Sequence, residues 1–168
     1  MSRLLTPCDV RYLPQWEGGR QLRMLLAPLV YESDVLAETV TVPAGLVFDG
    51  QSIPRSLAGF TGPECTEAGG IHDWLYCSHH LRMGTLPLDT FLAYVRELPA
   101  ALDASIIPTV EAQVGRRVTR AESDLVYREI LLLMGIDPVH AQNQYAALDF
   151  WGKGAWDTGP ARLRVTPV

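Results

Sequence analysis

Cysteine is scarce in this chain, and its scarcity excludes a disulfide-stapled fold. The 168 residues contain only Cys8, Cys65 and Cys77, too few and too irregularly spaced for a disulfide framework. We expect reduced, partly buried thiols of the kind found in a cytosol. An alternative is that Cys65 and Cys77, which flank His72 in the sequence, lend a thiolate to a metal, although their spacing matches none of the usual zinc pairs.

Long apolar runs and clustered positive charges are also missing. No stretch approaches the roughly 18–20 apolar residues of a membrane span, and residues 1–10 lack the apolar core of a secretory signal. Lys and Arg number 14 against 19 Asp and Glu, for a formal charge of −5. The densest basic group, Arg116, Arg117 and Arg120, is typical of a solvated turn. Because phosphate binding needs clustered cations, we expect no nucleic-acid partner. The missing apolar runs lead us to expect no membrane span and no signal peptide.

The composition does supply enough apolar residues for a full core. Hydrophobic residues make up 48% and charged residues 20%, as in ordinary globular proteins, and the length suits a single domain over 1–168. Residues 21–26, 38–42 and 46–48 have the apolar or alternating patterns of strands. Helical patterns dominate the remainder. This order predicts an α+β fold, with N-terminal antiparallel strands followed by a cluster of about four helices.

The helices are predicted from local signals. A proline and an acid near its start favour a helix at 63–81, and a short amphipathic helix follows at 88–98. The strongest signal lies at 119–134, which opens with a threonine and a glutamate three residues apart, the pattern of a capping box. A last helix is predicted at 138–151, before a glycine-rich tail.

The segment GIHDWLY places a histidine and an aspartate side by side within one of these helices. Adjacent residues on a helix are about 100° apart, so His72 and Asp73 straddle one edge and cannot pair with each other. Tyr76, His79 and His80 would share their face if the helix continues to residue 81. We expect His79 and His80 to be exposed near the helix end, with additional metal ligation as the alternative.

A histidine and two carboxylates are sufficient for an open site that binds a divalent cation. His72 and Asp73 need a distant acid, and Asp124, in the first turns of its own helix, is the one we favour. The alternative for Asp124 is a surface ion pair with Arg128, which would contribute little. We predict that His72, Asp73 and Asp124 converge as metal ligands and as catalytic residues, with a divalent ion of unspecified identity as cofactor.

A second polar group lies in the loop after the strand at 46–48. Asp49 and Ser52 form an Asp-Gly-x-Ser segment, which commonly makes a tight turn with its own backbone but is also compatible with a catalytic aspartate. Arg55 could bind a carboxylate bidentately, through two N–H groups of its guanidinium. We predict a catalytic role for Asp49 and substrate binding by Ser52, Arg55 and Tyr76, with the loop packed beside the His72 helix.

These segments, in this order, resemble a phage-associated family known as domain of unknown function 1353. The family pattern, V-P-x-G-F-x-T-D-x-x-S-I-P-R and then H-D-x-L-Y, is similar to VPAGLVFDGQSIPR at 42–55 and IHDWLY at 71–76, with Phe48 where a threonine is usual. The next element, an aspartate opening a helix, resembles SDLVYREILLLMGI at 123–136. An aromatic-rich Gly-Trp end resembles QYAALDFWGKGAW at 144–156.

The resemblance covers residues from about 38 to 156 and implies a phage or prophage origin. It strengthens the assignments made above from the residues alone, including the match of Asp124 to the family aspartate. The segment 79–118 is longer than the usual link between the second and third motifs, so we interpret it as an insertion that forms a lid or a docking surface. The family brings no established activity.

Two functions from different classes remain open. One is a metal-dependent hydrolase of unknown substrate, in which the His/Asp cluster holds an ion and a spare carboxylate takes a proton from its water. The other is a non-catalytic virion component, of tail or baseplate, or a host-interaction protein, in which the same residues form a structural network. Partners would then be other phage proteins or a host target, and the location the host cytoplasm or the virion.

Overall fold

The N-terminal part of the molecule consists of two small antiparallel sheets. The computed structural model describes residues 1–50, 62–97 and 102–166, and within these ranges each sheet has three strands. The first sheet has the order β1-β4-β5 and the second the order β2-β3-β6. The strands are β1 (Arg3–Leu4), β2 (Val10–Glu17), β3 (Arg20–Leu25), β4 (Leu29–Ser33), β5 (Glu38–Val42) and β6 (Val47–Phe48).

Alternation of side chains explains the sheet formed by β4 and β5. Val40 and Val42 of β5 point into the core and face Tyr31 and Leu29 of β4, which are also fully buried. β-Branched residues fit such a half-buried surface well. The strands predicted at 21–26, 38–42 and 46–48 therefore correspond to β3, β5 and β6 to within one residue.

Five helices follow the strands in the described part of the chain, which confirms the α+β class. Helix α4 begins at the predicted capping box: Thr119 accepts a hydrogen bond from the amide of Glu122, and the Glu122 side chain accepts one from the amide of Thr119. None of the helices described is long and apolar enough to cross a membrane. The helices are α1 (Thr66–Ser78), α2 (Leu88–Val95), α3 (Ile107–Val114), α4 (Arg120–Leu133) and α5 (Pro138–Arg162), with a 3₁₀ turn at Ala104–Ile106.

Helix α1 is the centre of the core. It packs against α4 and α5 on one side and against β5 and β6 on the other, and its Ile71, Trp74 and Leu75 are fully buried. The segment 79–118, interpreted above as an insertion, contributes to the same core in its described parts. Phe91 of α2 stacks on Trp74, with ring centroids 5.4 Å apart, and the amide of Thr41 in β5 donates to the carbonyl of Leu81 at 2.8 Å.

A carboxylate on α4 fastens that helix to the first sheet. Glu129 accepts hydrogen bonds from the hydroxyls of Tyr31 (2.8 Å), Ser33 (2.7 Å) and Ser2 (2.8 Å), and from the amides of Asp34 and Val35. Both of its oxygens are thus fully used by donors from the N-terminal strands. This contact fixes α4, and with it the residues that α4 presents to α1.

Helix α1 is shorter than its sequence pattern predicts, and this corrects the prediction for two histidines. The helix ends at Ser78 because His79 adopts a left-handed conformation, with φ of 58°, while its amide still bonds to the carbonyl of Leu75. His79 and His80 therefore do not continue the helix face. The expectation that they are exposed is wrong: both are buried, at 7% and 6% exposure.

Helix α5, in contrast, continues eleven residues beyond the predicted end at Trp151, to Arg162. The glycines of the supposed tail are packing positions inside this helix. A Cβ atom at Gly152 would collide with the hydroxyl of Tyr76, and one at Gly159 would collide with the Tyr76 carbonyl. The missing side chains let α5 approach α1 closely, and this packing overrides the low helix propensity of glycine.

Candidate functional site

Two helices bring His72 and Asp124 into direct contact, which confirms the predicted approach of these residues. His72 lies in the middle of α1 and Asp124 in the second turn of α4. His72 Nε2 is 3.1 Å from Asp124 Oδ1, and the side chains are 0% and 1% exposed. An imidazole and a carboxylate 52 positions apart in the sequence thus form a buried hydrogen-bonded pair.

Asp124 has two further partners. The Tyr76 hydroxyl donates to Oδ1 at 2.5 Å, and Arg120 Nη1 donates to Oδ2 at 3.3 Å. Arg120 also donates to the carbonyls of Leu148 and Asp149, and so ties α4 to α5. The alternative interpretation, a surface pair between Asp124 and Arg128, is wrong, because Asp124 is buried and its ion-pair partner is the arginine one turn earlier.

Burial sets the protonation of this cluster. Removal from water lowers the pKa of His72, against the opposing effect of Asp124 and of the more distant Asp49. The imidazole is therefore neutral near pH 7, and its Nε2–H donates to the carboxylate. Burial, and then the hydrogen bond to Asp124, raises the pKa of Tyr76, so the phenol keeps its proton and also donates. The ion pair of this site is formed by Arg120 and Asp124.

Aromatic rings and an amide enclose the pair. The ring of Tyr76 lies 4.0 Å from the His72 ring, and that of Tyr127 lies 5.0 Å from it, between centroids. The Tyr127 hydroxyl donates to Gln144 of α5 at 2.7 Å. Three residues of this site were not predicted from the sequence: Arg120, which was expected in a solvated turn, Tyr127 and Gln144. Arg120 carries a recognisable signal, four residues before Asp124 on the same helix, whereas the other two are defined only by packing.

An open cavity of about 290 Å³ lies on the other edge of α1. Asp73, half-buried, lines it, because its position on the helix is rotated from that of His72 as the sequence predicts. Asp49 and Tyr76 line the same cavity. Tyr76 is thus the residue that joins the cavity to the buried pair. The remaining lining includes three arginines and an aromatic ring, namely Arg20, Arg162, Arg164 and Trp151.

The loop that begins at Asp49 starts against α1, as predicted. Gly50 touches Gly69 of α1 so closely that a Cβ atom at Gly69 would collide with the Gly50 carbonyl. Asp49 Oδ2 is 3.9 Å from Arg20 Nη1, and this ion pair connects the loop to β3. The other two loop residues predicted to bind substrate, Ser52 and Arg55, lie outside the described residues.

The three proposed metal ligands do not form one cluster in the described chain. No group of three His, Cys, Asp or Glu side chains there is arranged to hold a metal ion, since Asp73 faces the cavity while His72 and Asp124 are bonded to each other. The cysteines are free thiols, as expected. Cys77 lines the cavity, and burial raises its pKa to about 12, so it is protonated near pH 7.

The fold and site define an α+β protein with a buried His–Asp pair beside a carboxylate-lined cavity. A family model described as "Protein of unknown function (DUF1353)" matches residues 23–148. The match spans well over half of the chain, which therefore belongs to this family. No curated protein and no solved structure matches it. The matched range contains Asp49, Asp73 and the buried pair. It ends before Arg162 of α5 and Arg164, just after α5, which both line the cavity.

Proposed function

We propose that this protein is a small metal-dependent hydrolase of phage or prophage origin. The observation that carries the proposal is the convergence of Asp49, Asp73 and Tyr76 on one cavity, which Tyr76 connects to the buried His72–Asp124 pair. Concave sites with a few converging polar groups are where small-molecule chemistry usually occurs. The proposed location is the host cytoplasm or the virion.

Three carboxylates line the cavity, and we assign the chemistry to Asp49 and Asp73, since the third, Glu17, is paired with Arg162 and Arg164. Asp49 and Asp73 offer the hard oxygen ligands that divalent ions such as Mg²⁺ and Mn²⁺ prefer. An ion held there would lower the pKa of a bound water and supply the nucleophile, and the carboxylate not engaged with the ion would accept the proton. This assignment moves the metal from His72 and Asp124 to the cavity.

The buried pair has a positioning role in this proposal. His72 Nε2 and Asp124 Oδ1 are already bonded to each other, and Tyr76 donates to the same oxygen. Asp124 therefore fixes the orientation of the Tyr76 hydroxyl at the cavity wall. Rigid support of this kind holds reacting groups in place.

Hydrolysis assays would test the proposal. Ester, phosphodiester and cell-wall peptidoglycan substrates would be offered to the wild type and to Asp73→Asn, each with Mg²⁺, Mn²⁺ or Zn²⁺. We expect ion-dependent turnover that falls by at least about 100-fold in Asp73→Asn. Asp149→Asn is the matched control, since Asp149 is an exposed carboxylate that does not line the cavity. Equal turnover in wild type and Asp73→Asn would contradict the proposal.

A second candidate is a non-catalytic virion component or host-interaction protein. The observation that favours it is the burial of His72 and Asp124 in a network closed by Tyr127 and Gln144, which suits a structural role. Phe150 and Trp151 also leave an aromatic pair exposed on α5, at 76% and 52%. Stable assembly with other phage proteins or a host target, without ion-dependent turnover, would favour this candidate.

A further inference from the structure

A second groove lies on the far face of Trp156. This residue of α5 contacts Tyr76 edge-on, at 5.1 Å between ring centroids, and stacks flat on His79 at 4.0 Å and 16°. The groove beyond it has a volume of about 730 Å³. One wall is the end of α5, and the other is formed by the segment 79–118, so this groove is separate from the cavity that contains Asp73.

The groove is lined by two arginines and two carboxylates, but the way they pair leaves one arginine without a carboxylate partner. Arg117 is paired with Glu97 at 3.2 Å, and the other lining carboxylate, Asp157, is paired with Lys153 at 2.6 Å. Arg96 donates only to two main-chain carbonyls at the end of α5, at 3.4 and 3.0 Å. Among the groove residues described here, Arg96 therefore contributes one positive charge with no carboxylate beside it.

Glu97, which lines the groove, has an uncommon backbone conformation. Its backbone is left-handed, with φ of 53°, and only three non-glycine residues in the described chain have a positive φ, of which His79 is another. Residues held in such conformations cluster at functional sites. The Glu97–Arg117 pair is 74% and 61% exposed, and exposed pairs of this kind are weak. Little free energy therefore holds the Glu97 carboxylate at Arg117.

His79 orients the arginine without adding charge. Arg117 Nη2 lies 3.4 Å from His79 Nδ1, and His79 Nε2 lies 3.3 Å from the carbonyl of Trp156. A neutral imidazole satisfies both contacts, accepting at Nδ1 and donating at Nε2, and burial, which lowers the pKa of His79, favours that form. The stacked His79 and Trp156 rings, with Val95 and Pro160 on the lining, provide an apolar surface next to the guanidinium.

We propose that this groove binds a small organic anion, in which a flat ring carries a carboxylate or a phosphate. Arg117 and Arg96 contact the anionic group, Trp156 and its neighbours contact the ring, and Glu97 is the internal competitor that the ligand displaces. Arginine suits this recognition because its planar fork pairs with both carboxylate and phosphate oxygens. The proposal does not depend on the activity assigned to the other cavity.

The test follows the indole N–H signal of Trp156 by ¹⁵N NMR, assigned with Trp156→Phe. The wild type would be titrated with phenyl phosphate, benzoate, inorganic phosphate and the neutral benzyl alcohol. We expect saturable shifts with phenyl phosphate or benzoate, and binding of benzyl alcohol weaker by at least about tenfold. The two ring-bearing anions distinguish a phosphate ligand from a carboxylate ligand, and inorganic phosphate shows what the ring contributes.

Substitutions identify the groups responsible. Arg117→Gln should weaken binding by about tenfold, whereas Glu97→Gln should strengthen it several-fold because the competitor is lost. Arg11→Gln, an exposed arginine on β2, is the matched control and should change nothing. Glu97 is highly exposed, so its variant remains informative if Arg117→Gln does not fold. No saturable shift in wild type or Glu97→Gln, or weaker binding by Glu97→Gln than by wild type, would overturn the proposal.

Discussion

Replacing Asp124 with alanine tests how much of the stability depends on the buried site. The carboxylate accepts hydrogen bonds from His72 and Tyr76, both buried, and from Arg120. In Asp124→Ala the first two donors lose their acceptor, at a cost of roughly 1–3 kcal/mol each. Arg120 keeps its carbonyl partners, so its lost contact adds little to the decrease in the free energy of unfolding. We expect a total loss of roughly 3–5 kcal/mol, the range found for broken buried pairs.

Urea unfolding followed by circular dichroism measures this loss, and thermal melts should show a decrease of roughly 6–20 °C for a chain of this size. Asp149→Ala is the matched control, because it removes an exposed carboxylate from the same Arg120 and should cost less than about 1 kcal/mol. Asp124→Asn keeps one acceptor oxygen, so its loss in free energy of unfolding should lie between those of Asp124→Ala and Asp149→Ala. If Asp124→Ala is no less stable than Asp149→Ala, our account of the buried site is wrong.

Three other predictions concern the support of the site. Glu129→Ala should lose roughly 2–4 kcal/mol in urea unfolding, because the buried hydroxyls of Tyr31 and Ser33 lose their acceptor; a loss under about 1 kcal/mol would contradict this. Gly152→Ala should lose roughly 1–3 kcal/mol from the collision with Tyr76, whereas Gly154→Ala, where a Cβ atom meets nothing within 4 Å, should be neutral or stabilising. Burial lowers the pKa of His80 from 6.5 to about 4. The unfolded chain thus takes up a proton first as pH falls, and about 2 kcal/mol present above pH 6.5 should be lost toward pH 4. His80→Gln should flatten the pH dependence of the urea midpoint, and an unchanged slope would refute this.

Local signals in the sequence were sufficient for some elements and for part of the site. The capping box of Thr119 and Glu122 predicts the start of α4 because both partners lie within one turn. The alternation in β5 likewise predicts which residues face the core. The approach of His72 and Asp124 was predicted because each lies on a polar edge of its helix, and two helices that pack at such edges bring these groups together. The resemblance to the family supported the same pairing.

Long-range packing decided what the sequence could not. The length of α5 depends on Gly152 and Gly159, whose use as close-contact positions is visible only once α1 lies beside them. The end of α1 depends on a single left-handed residue, His79, at a position where sequence rules expect glycine or asparagine. The separation of Asp73 from the buried pair required knowing which side of α1 carries the cavity.

Calorimetric titration of Mn²⁺ into the purified protein tests the central claim most directly. With the cavity carboxylates as the ion site, the wild type should bind about one ion per chain, and the double variant Asp49→Asn with Asp73→Asn should bind at least about tenfold more weakly. Asp149→Asn should bind like the wild type. Absence of stoichiometric binding to the wild type, or equal binding by the double variant, would contradict a metal-dependent hydrolase at this cavity.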